Sequence, residues 1–197
     1  GVSHDLRTPM TRLQLNLEML RDAPSPARID RAVADLADMN RLIAGYLELA
    51  RTTQAETKVR FDLADLLDEA AVDADLAWPG AAPCMIEAGR LAVRQIVSNL
   101  IQNAQRYGGG VPAELVLECT DTLARVIVRD SGAGIPDDQL EKVFRPFYRL
   151  ETSRSQATGG TGLGLAIVRQ LAETNGLKVV LRNRPQGGLE AMLEIRR

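Results

Sequence analysis

Histidine is almost missing from this chain: His4 is the single one in 197 residues. That excludes a multi-histidine metal site, so the imidazole acts alone or with other residue types. Aromatic residues are only 4% of the sequence, so the core must rest on Leu, Ile, Val, Ala and Met. Cysteine is nearly as scarce. Cys84 and Cys119 form no CxxC pair and are too few for a disulfide framework, so two buried thiols in a reducing compartment are expected. An excess of one charge is also lacking. The net charge of -2 argues against nucleic acid or an anionic membrane surface as the main partner. No apolar run reaches transmembrane length. The chain begins without Met and inside a motif, as expected of a piece of a longer protein. What remains is ordinary globular composition, 45% hydrophobic and 25% charged, long enough for one large domain or two small ones.

Residues 2–22 carry Leu6, Met10, Leu13, Leu17 and Leu20 at alternating spacings of four and three, which predicts a helix with a heptad stripe. The two prolines of APSPAR, residues 23–28, break it. A second helix is predicted over 27–55, with Ile29, Val33, Leu36, Asn40, Ile43, Leu47 and Ala50 in heptad spacing. Two such helices joined by a short loop make an antiparallel hairpin. One hairpin cannot cover faces this wide, so a homodimeric four-helix bundle is expected. After residue 56 the pattern changes to short strands and helices, with a strong helix over 90–107, a strand pair ELVLECT and ARVIVRD, a helix closed by Gly176, and a final hairpin across RPQGG. This predicts an α+β chain: a helical hairpin over 1–55 and an α/β sandwich over 56–197, with one helical layer on a mixed sheet of mainly antiparallel strands.

On a helical wheel of about 100° per residue, His4 falls opposite the Leu6–Leu20 stripe, so its ring is expected to face solvent. Asp5 can hold a proton of the imidazole and raise the nucleophilicity of the other nitrogen. Thr8, one turn on, presents a hydroxyl to the same face. Pro9 removes an N–H from the helix and should bend it there. Neutral imidazole attacks phosphorus well, and the phosphoramidate can pass its phosphoryl group onward.

SHDLRTPMTRL resembles the phosphoacceptor box of the sensor histidine kinases. NLIQNAQRYG (99–108), DSGAGIP (130–136), FRPFYR (144–149) and GGTGLGLAIV (159–168) match the same family in the same order, and with RYGGG they are most similar to its osmosensing, EnvZ-like branch. Asn99 and Asn103, four apart, share a helix face and can offer two amide oxygens to a hard cation. The resemblance implies that Asn103 ligates Mg²⁺ directly, that Asn99 supports the metal and phosphates, that Arg106 pairs with phosphate oxygens and that Tyr107 lies along adenine. In related ATP hydrolases a glutamate stands at the place of Asn99; an amide there is a poor base, which favours transfer to a protein nucleophile over hydrolysis. Asp130, at the end of a strand, can accept from the adenine amino group, and Gly132 and Gly134 let backbone come close to the base. Gly160, Thr161, Gly162, Leu163 and Gly164 lead into a helix whose first N–H groups suit phosphate. Residues 137–161 are expected to form a lid anchored by Phe144 and Phe147, with Arg145, Arg149 and Arg154 as candidate phosphate contacts.

These readings converge on ATP and Mg²⁺ as ligands, His4 as nucleophile, and Asp5, Thr8 and Arg106 as its helpers. The resemblance further implies transfer to an aspartate of an OmpR-like response-regulator receiver domain, Thr8-assisted phosphatase activity towards that regulator, and the cytoplasmic part of a bacterial inner-membrane protein whose sensor region precedes this chain. Competing readings are an ATP hydrolase of the same nucleotide fold, a dimeric scaffold with a degenerate site, and a helix–turn–helix DNA binder.

Overall fold

The computed structural model describes the backbone of residues 2–22, 25–150 and 161–197 and, within them, the side chains except those of residues 2–9, 22, 38, 41 and 48. The chain divides into two compact units, Gly1–Ala50 and Arg51–Arg197.

The first unit is a helical hairpin of α1 (Val2–Asp22) and α2 (Pro26–Arg51). Pro26 opens α2, where a missing N–H leaves no bond unmade. The helices run antiparallel, tied by Arg12 to Asp35 at 3.1 Å, by Asn16 Nδ2 donating to Asp35 Oδ2 at 3.2 Å, and by Arg28 Nη1 donating to the Met19 carbonyl at 2.8 Å. Asp35 is buried, and its α1 partners answer its charge. α1 runs through Pro9 as one helix, and α2 stops at Arg51 rather than at 55. Ile29, Val33, Leu36, Ile43 and Leu47 are exposed on the single chain, while Ala32 and Asp35 turn inward.

The second unit contains β1 (Val59–Asp62), α3 (Leu63–Asp73), β2 (Met85–Ala88), α4 (Arg90–Tyr107), β3 (Glu114–Cys119), β4 (Leu123–Arg129), two single 3-10 turns (Asp137–Gln139 and Lys142–Phe144), α5 (Gly164–Thr174), β5 (Lys178–Asn183) and β6 (Leu189–Arg196). Strands β3-β4-β6-β5 form one sheet and β1-β2 a second. The sequence predicts a mixed sheet; the structure corrects this, since every pairing is antiparallel. The reason is that β6 lies between β4 and β5: those two strands run parallel with α5 between them in the chain, but they are not neighbours in the sheet.

Side chains alternate across the sheet with period two. Ala124, Val126 and Val128 of β4 and Ala191, Leu193 and Ile195 of β6 are buried, and α4 packs across both strands while α5 packs on β5. α4 meets the core through Val93, Ile96, Val97, Leu100 and Ile101, a three-and-four spacing. The opposite face carries cross-strand ion pairs. Arg129 reaches Glu190 at 2.8 Å and Glu114 at 3.2 Å, and Arg125 reaches Glu194 at 3.1 Å and Glu118 at 3.5 Å. Each such pair contributes about 0.2–1 kcal/mol. Burial alone would raise the Glu194 carboxyl, but hydrogen bonds from Arg125 and Lys178 outweigh it and hold the group below its ordinary value.

The two cysteines are a second correction. Cys84 and Cys119 are bonded in a disulfide, with Cα atoms 6.1 Å apart. Contact of β2 with β6 sets the residue before β2 beside the last residue of β3, so these residues no longer argue for a reducing compartment. Arg197 fastens the same seam, donating from Nε to the Met85 carbonyl at 2.9 Å and from Nη1 to the Thr120 carbonyl at 2.6 Å. The bond closes a loop of sequence separation 35, for which the chain-entropy contribution is about 3–4 kcal/mol. Thermal melts with and without dithiothreitol should therefore differ by about 6–16 °C in midpoint. Equal midpoints would mean that the cystine contributes nothing.

Candidate functional site

α4 exists because a three-and-four apolar stripe packs on the sheet, and this turns its polar residues toward α5. Asn99 Nδ2 donates to the Gln95 carbonyl at 3.0 Å, which fixes the side-chain amide and leaves Oδ1 pointing off the helix. Oδ1 faces Gly164, where a Cβ would stand 3.2 Å from it and 3.8 Å from both polar atoms of the Asn103 side chain. Asn103 Nδ2 is buried with no hydrogen-bond partner among the described residues. Asn99, Asn103 and the first residue of α5 thus converge on one spot, which glycine keeps open. The amide oxygens of Asn99 and Asn103 suit a hard cation such as Mg²⁺, while the unpartnered Asn103 Nδ2 is a donor and suits an acceptor such as a phosphate oxygen.

The carboxyl end of α4 lies over the turn after β4. A Cβ at Gly132 would run into the Tyr107 carbonyl and approach Asp130 Oδ1 at 3.2 Å, so no larger residue fits this close passage. Asp130 is 7% exposed. Its Oδ1 accepts from Gly132 N–H at 2.8 Å and Leu189 N–H at 3.1 Å. Its Oδ2 makes no hydrogen bond among the described residues, which leaves an acceptor on a rigidly held, nearly buried carboxylate. Tyr107 and Arg106 are exposed beside this turn, and Arg106 makes no ion pair among the described residues.

The leader into α5 is shaped by the segment before it. Gly162 adopts φ +71°, and a Cβ there would lie 2.9 Å from the Phe147 carbonyl carbon. Phe147, itself at φ 63°, donates its N–H to the Gly162 carbonyl at 2.9 Å. A bulky residue in the left-handed region is unusual and persists only where its surroundings impose it. Thr161 Oγ1 accepts from Leu163 N–H at 3.3 Å. The Leu163 side chain is 1% exposed, so it packs in the core and offers a ligand only its backbone. α5 has no side-chain cap at its amino end, which leaves N–H groups for an anion. Phe144 is buried under Arg169, whose guanidinium carbon is 3.9 Å from the ring centroid.

Asn99, Asn103 and Gly164 meet at one place, and Tyr107, Asp130 and Gly132 at another, both along α4. Gly134 belongs to the loop after Asp130. His4, Asp5 and Thr8 lie within α1, but their side chains are outside the described residues, as are Gly160 and Arg154. Sequence reasoning missed Asn183 and Arg184. Asn183 Oδ1 accepts from Ile135 N–H at 2.9 Å, and its Nδ2 donates to the Ile135 carbonyl at 2.6 Å and to Asp137 Oδ1 at 3.0 Å. Arg184 Nη1 donates to the Asp130 carbonyl at 2.7 Å. Both hold the DSGAGIP loop from the β5–β6 hairpin. The only signal for them is RPQGG, which Arg184 opens and Asn183 precedes, and which points to a turn and not to a site.

Comparison with known proteins adds to this geometry. The model of the family described as "Histidine kinase-, DNA gyrase B-, and HSP90-like ATPase" matches residues 88–197, and that of the "His Kinase A (phospho-acceptor) domain" matches residues 1–55. The sensor histidine kinase GtrS of Pseudomonas aeruginosa is 37% identical over 202 residues, covering 100% of this chain and 41% of GtrS. The crystal structure of the ATP-binding domain of PrrB from Mycobacterium tuberculosis is 30% identical, with a TM-score of 0.57 over 72% of this chain and 98% of that domain. The histidine kinase ThkA, in complex with the response regulator protein TrrA, shares the fold with a TM-score of 0.77 at 24% identity, covering 99% of this chain and 59% of ThkA. The chain spans less than half the length of the curated relatives it matches.

Proposed function

Since this chain belongs to the sensor histidine kinases, we propose that it binds ATP in its second unit, phosphorylates His4 and passes the phosphoryl group to an aspartate of a response regulator. The observation that carries the reading is the convergence of Asn99, Asn103 and Gly164 beside a buried Asp130 with a spare carboxylate oxygen. Asp130 accepts from the adenine amino group, and Tyr107 lies along the base. The uncapped start of α5 receives phosphate oxygens, with Arg106 pairing to them. Asn103 and Asn99 would hold Mg²⁺, which when bound supplies neutralisation of charge on the phosphate oxygens. The His4 imidazole nitrogen forms the new bond to the γ-phosphorus, the bond to the departing ADP oxygen breaks, and Asp5 draws off the imidazole proton. Asn99 lacks the basicity to activate water, which favours this transfer over hydrolysis.

The exposed apolar residues of α2 support a homodimer through a four-helix bundle, and the ThkA–TrrA complex supports a receiver-domain partner, which we take to be OmpR-like. No helix among the described residues is long and apolar enough to cross a membrane. The greater length of the relatives supports a cytoplasmic catalytic portion behind a membrane sensor.

Incubation with γ-labelled ATP and magnesium tests the reading. Acid-labile, base-stable label on the chain is expected; release of free phosphate with no labelled protein would overturn it in favour of a hydrolase. Thr8 is assigned to the phosphatase reaction, in which its hydroxyl orients a water that attacks the phosphorylated aspartate of the regulator and releases inorganic phosphate. Thr8→Ala should keep self-labelling and lose regulator dephosphorylation. An unchanged dephosphorylation rate removes that role.

A further inference from the structure

The polypeptide coming from α2 meets the start of α4 at Glu56. Gly89 precedes that helix and supplies no side-chain cap, so the first N–H groups need acceptors from elsewhere. The Glu56 carboxylate provides them. Oε1 accepts from Leu91 N–H at 3.2 Å and Oε2 from Ala92 N–H at 2.8 Å, and the helix dipole favours an anion there. A Cβ at residue 89 would stand 2.8 Å from both the Cβ and Oε2 of Glu56. The bare glycine and the reaching carboxylate are therefore complementary: a capping side chain at 89 and Glu56 in its present place exclude each other.

Glu56 holds a second helix as well. Its backbone N–H donates to Asn175 Oδ1 at 3.0 Å. Asn175 is the buried residue that follows α5, and its own Nδ2 donates back to the Leu171 carbonyl at 2.9 Å. One connector residue is thus bound to the amino end of α4 and the carboxyl end of α5. These helices carry Asn99 and Asn103 on one side and Gly164 on the other. At 1.5 Å rise per residue, Asn99 lies about 12 Å and Asn103 about 18 Å along α4 from Leu91, a distance over which a packed helix moves as a rod.

We propose that Glu56 is a positioning residue for phosphoryl transfer: it locks the connector from the phosphoacceptor hairpin to α4 and α5, so that the connector and the nucleotide-bearing helices move as one body. The proposal rests on the kinase reading above, and it separates the strength of nucleotide binding from the speed of transfer. Nucleotide contacts lie on the second unit's own groups and survive loss of the lock. Transfer, which depends on where the two reacting groups are held, does not.

Three variants of the whole chain test it, with rates taken at saturating ATP and well below each melting midpoint. Glu56→Ala removes the carboxylate. Gly89→Asp gives α4 a cap of its own and expels Glu56. Glu56→Gln keeps one acceptor oxygen, for the shorter bond from Ala92 N–H, and gives up the weaker one from Leu91 N–H. Gly89→Asp should keep or raise the melting midpoint and leave KM for ATP unchanged, while its labelling rate falls on the order of tenfold. Glu56→Ala should label as slowly, and Glu56→Gln should fall between it and wild type. Amide exchange over residues 52–60 should quicken in the first two variants and less in the third. Labelling of Gly89→Asp at the wild-type rate with a freed connector would reduce Glu56 to a helix cap and overturn the proposal. Unchanged exchange in both Gly89→Asp and Glu56→Ala would show that no lock exists. If Gly89→Asp does not fold, the Glu56→Ala and Glu56→Gln pair decides by the same two readouts. A wild-type chain that takes no label sinks the kinase reading instead, and exchange alone then decides whether the lock is real.

Discussion

Replacing His4 with glutamine should leave a folded chain that binds nucleotide and carries no phosphoryl group. The sequence holds no other histidine, so no second imidazole can take over. A glutamine amide has no nucleophilic lone pair to offer phosphorus, yet it is at least as good a helix former as histidine, and α1 has no reason to unwind. Acid-labile label should fall by at least about a thousandfold, the scale seen when a nucleophile is deleted, while affinity for an ATP analogue and the melting midpoint stay put. Label persisting on His4→Gln would move the acceptor to another residue and dissolve the assignment of α1.

Asp130→Asn should abolish useful nucleotide binding with the fold intact. Asn can present an oxygen to the N–H groups of Gly132 and Leu189, which Asp130 Oδ1 now serves. The second oxygen becomes an NH₂ group, however, and two donors then face each other where adenine is expected. Loss of a hydrogen bond to a charged group costs about 2–3 kcal/mol, roughly 30- to 150-fold in affinity. Titration calorimetry with an ATP analogue reads this directly, and circular dichroism checks the fold. Binding at wild-type strength would mean that Asp130 only shapes a turn.

Much of the second unit could be read from spacing. The three-and-four apolar pattern gave α4 its bounds, Arg90–Tyr107, and period-two alternation with a short polar break paired β3 with β4. Asn99 and Asn103 were visible as a pair because both lie on one helix. Contacts between residues far apart in sequence were not visible. Nothing at residues 84 and 119 announces a disulfide until two strand ends are packed side by side. Asn183 lies 48 residues from Ile135, and Glu56 lies 36 residues from Ala92, so no local pattern links either pair. The helical stripe is a subtler case. Heptad spacing marked Ile29, Val33 and Leu36 as packing residues, yet on the single chain they are exposed, because pattern reports that a face is apolar and not what covers it. α2 also ends short of the expected 55, since residues 52–55 lack a strong breaker to read.

The grip of the last hairpin on Asp130, through Arg184 and Leu189, has a consequence for how such a protein can change over time. Two glycines in the turn between them adopt positive φ, and a Cβ at Gly188 would run into the Asp130 carbonyl, so the conformation of this turn sets the aim of the carboxylate proposed to meet adenine. Small drifts in that surface loop would retune nucleotide preference or affinity while every residue that touches the substrate stays the same.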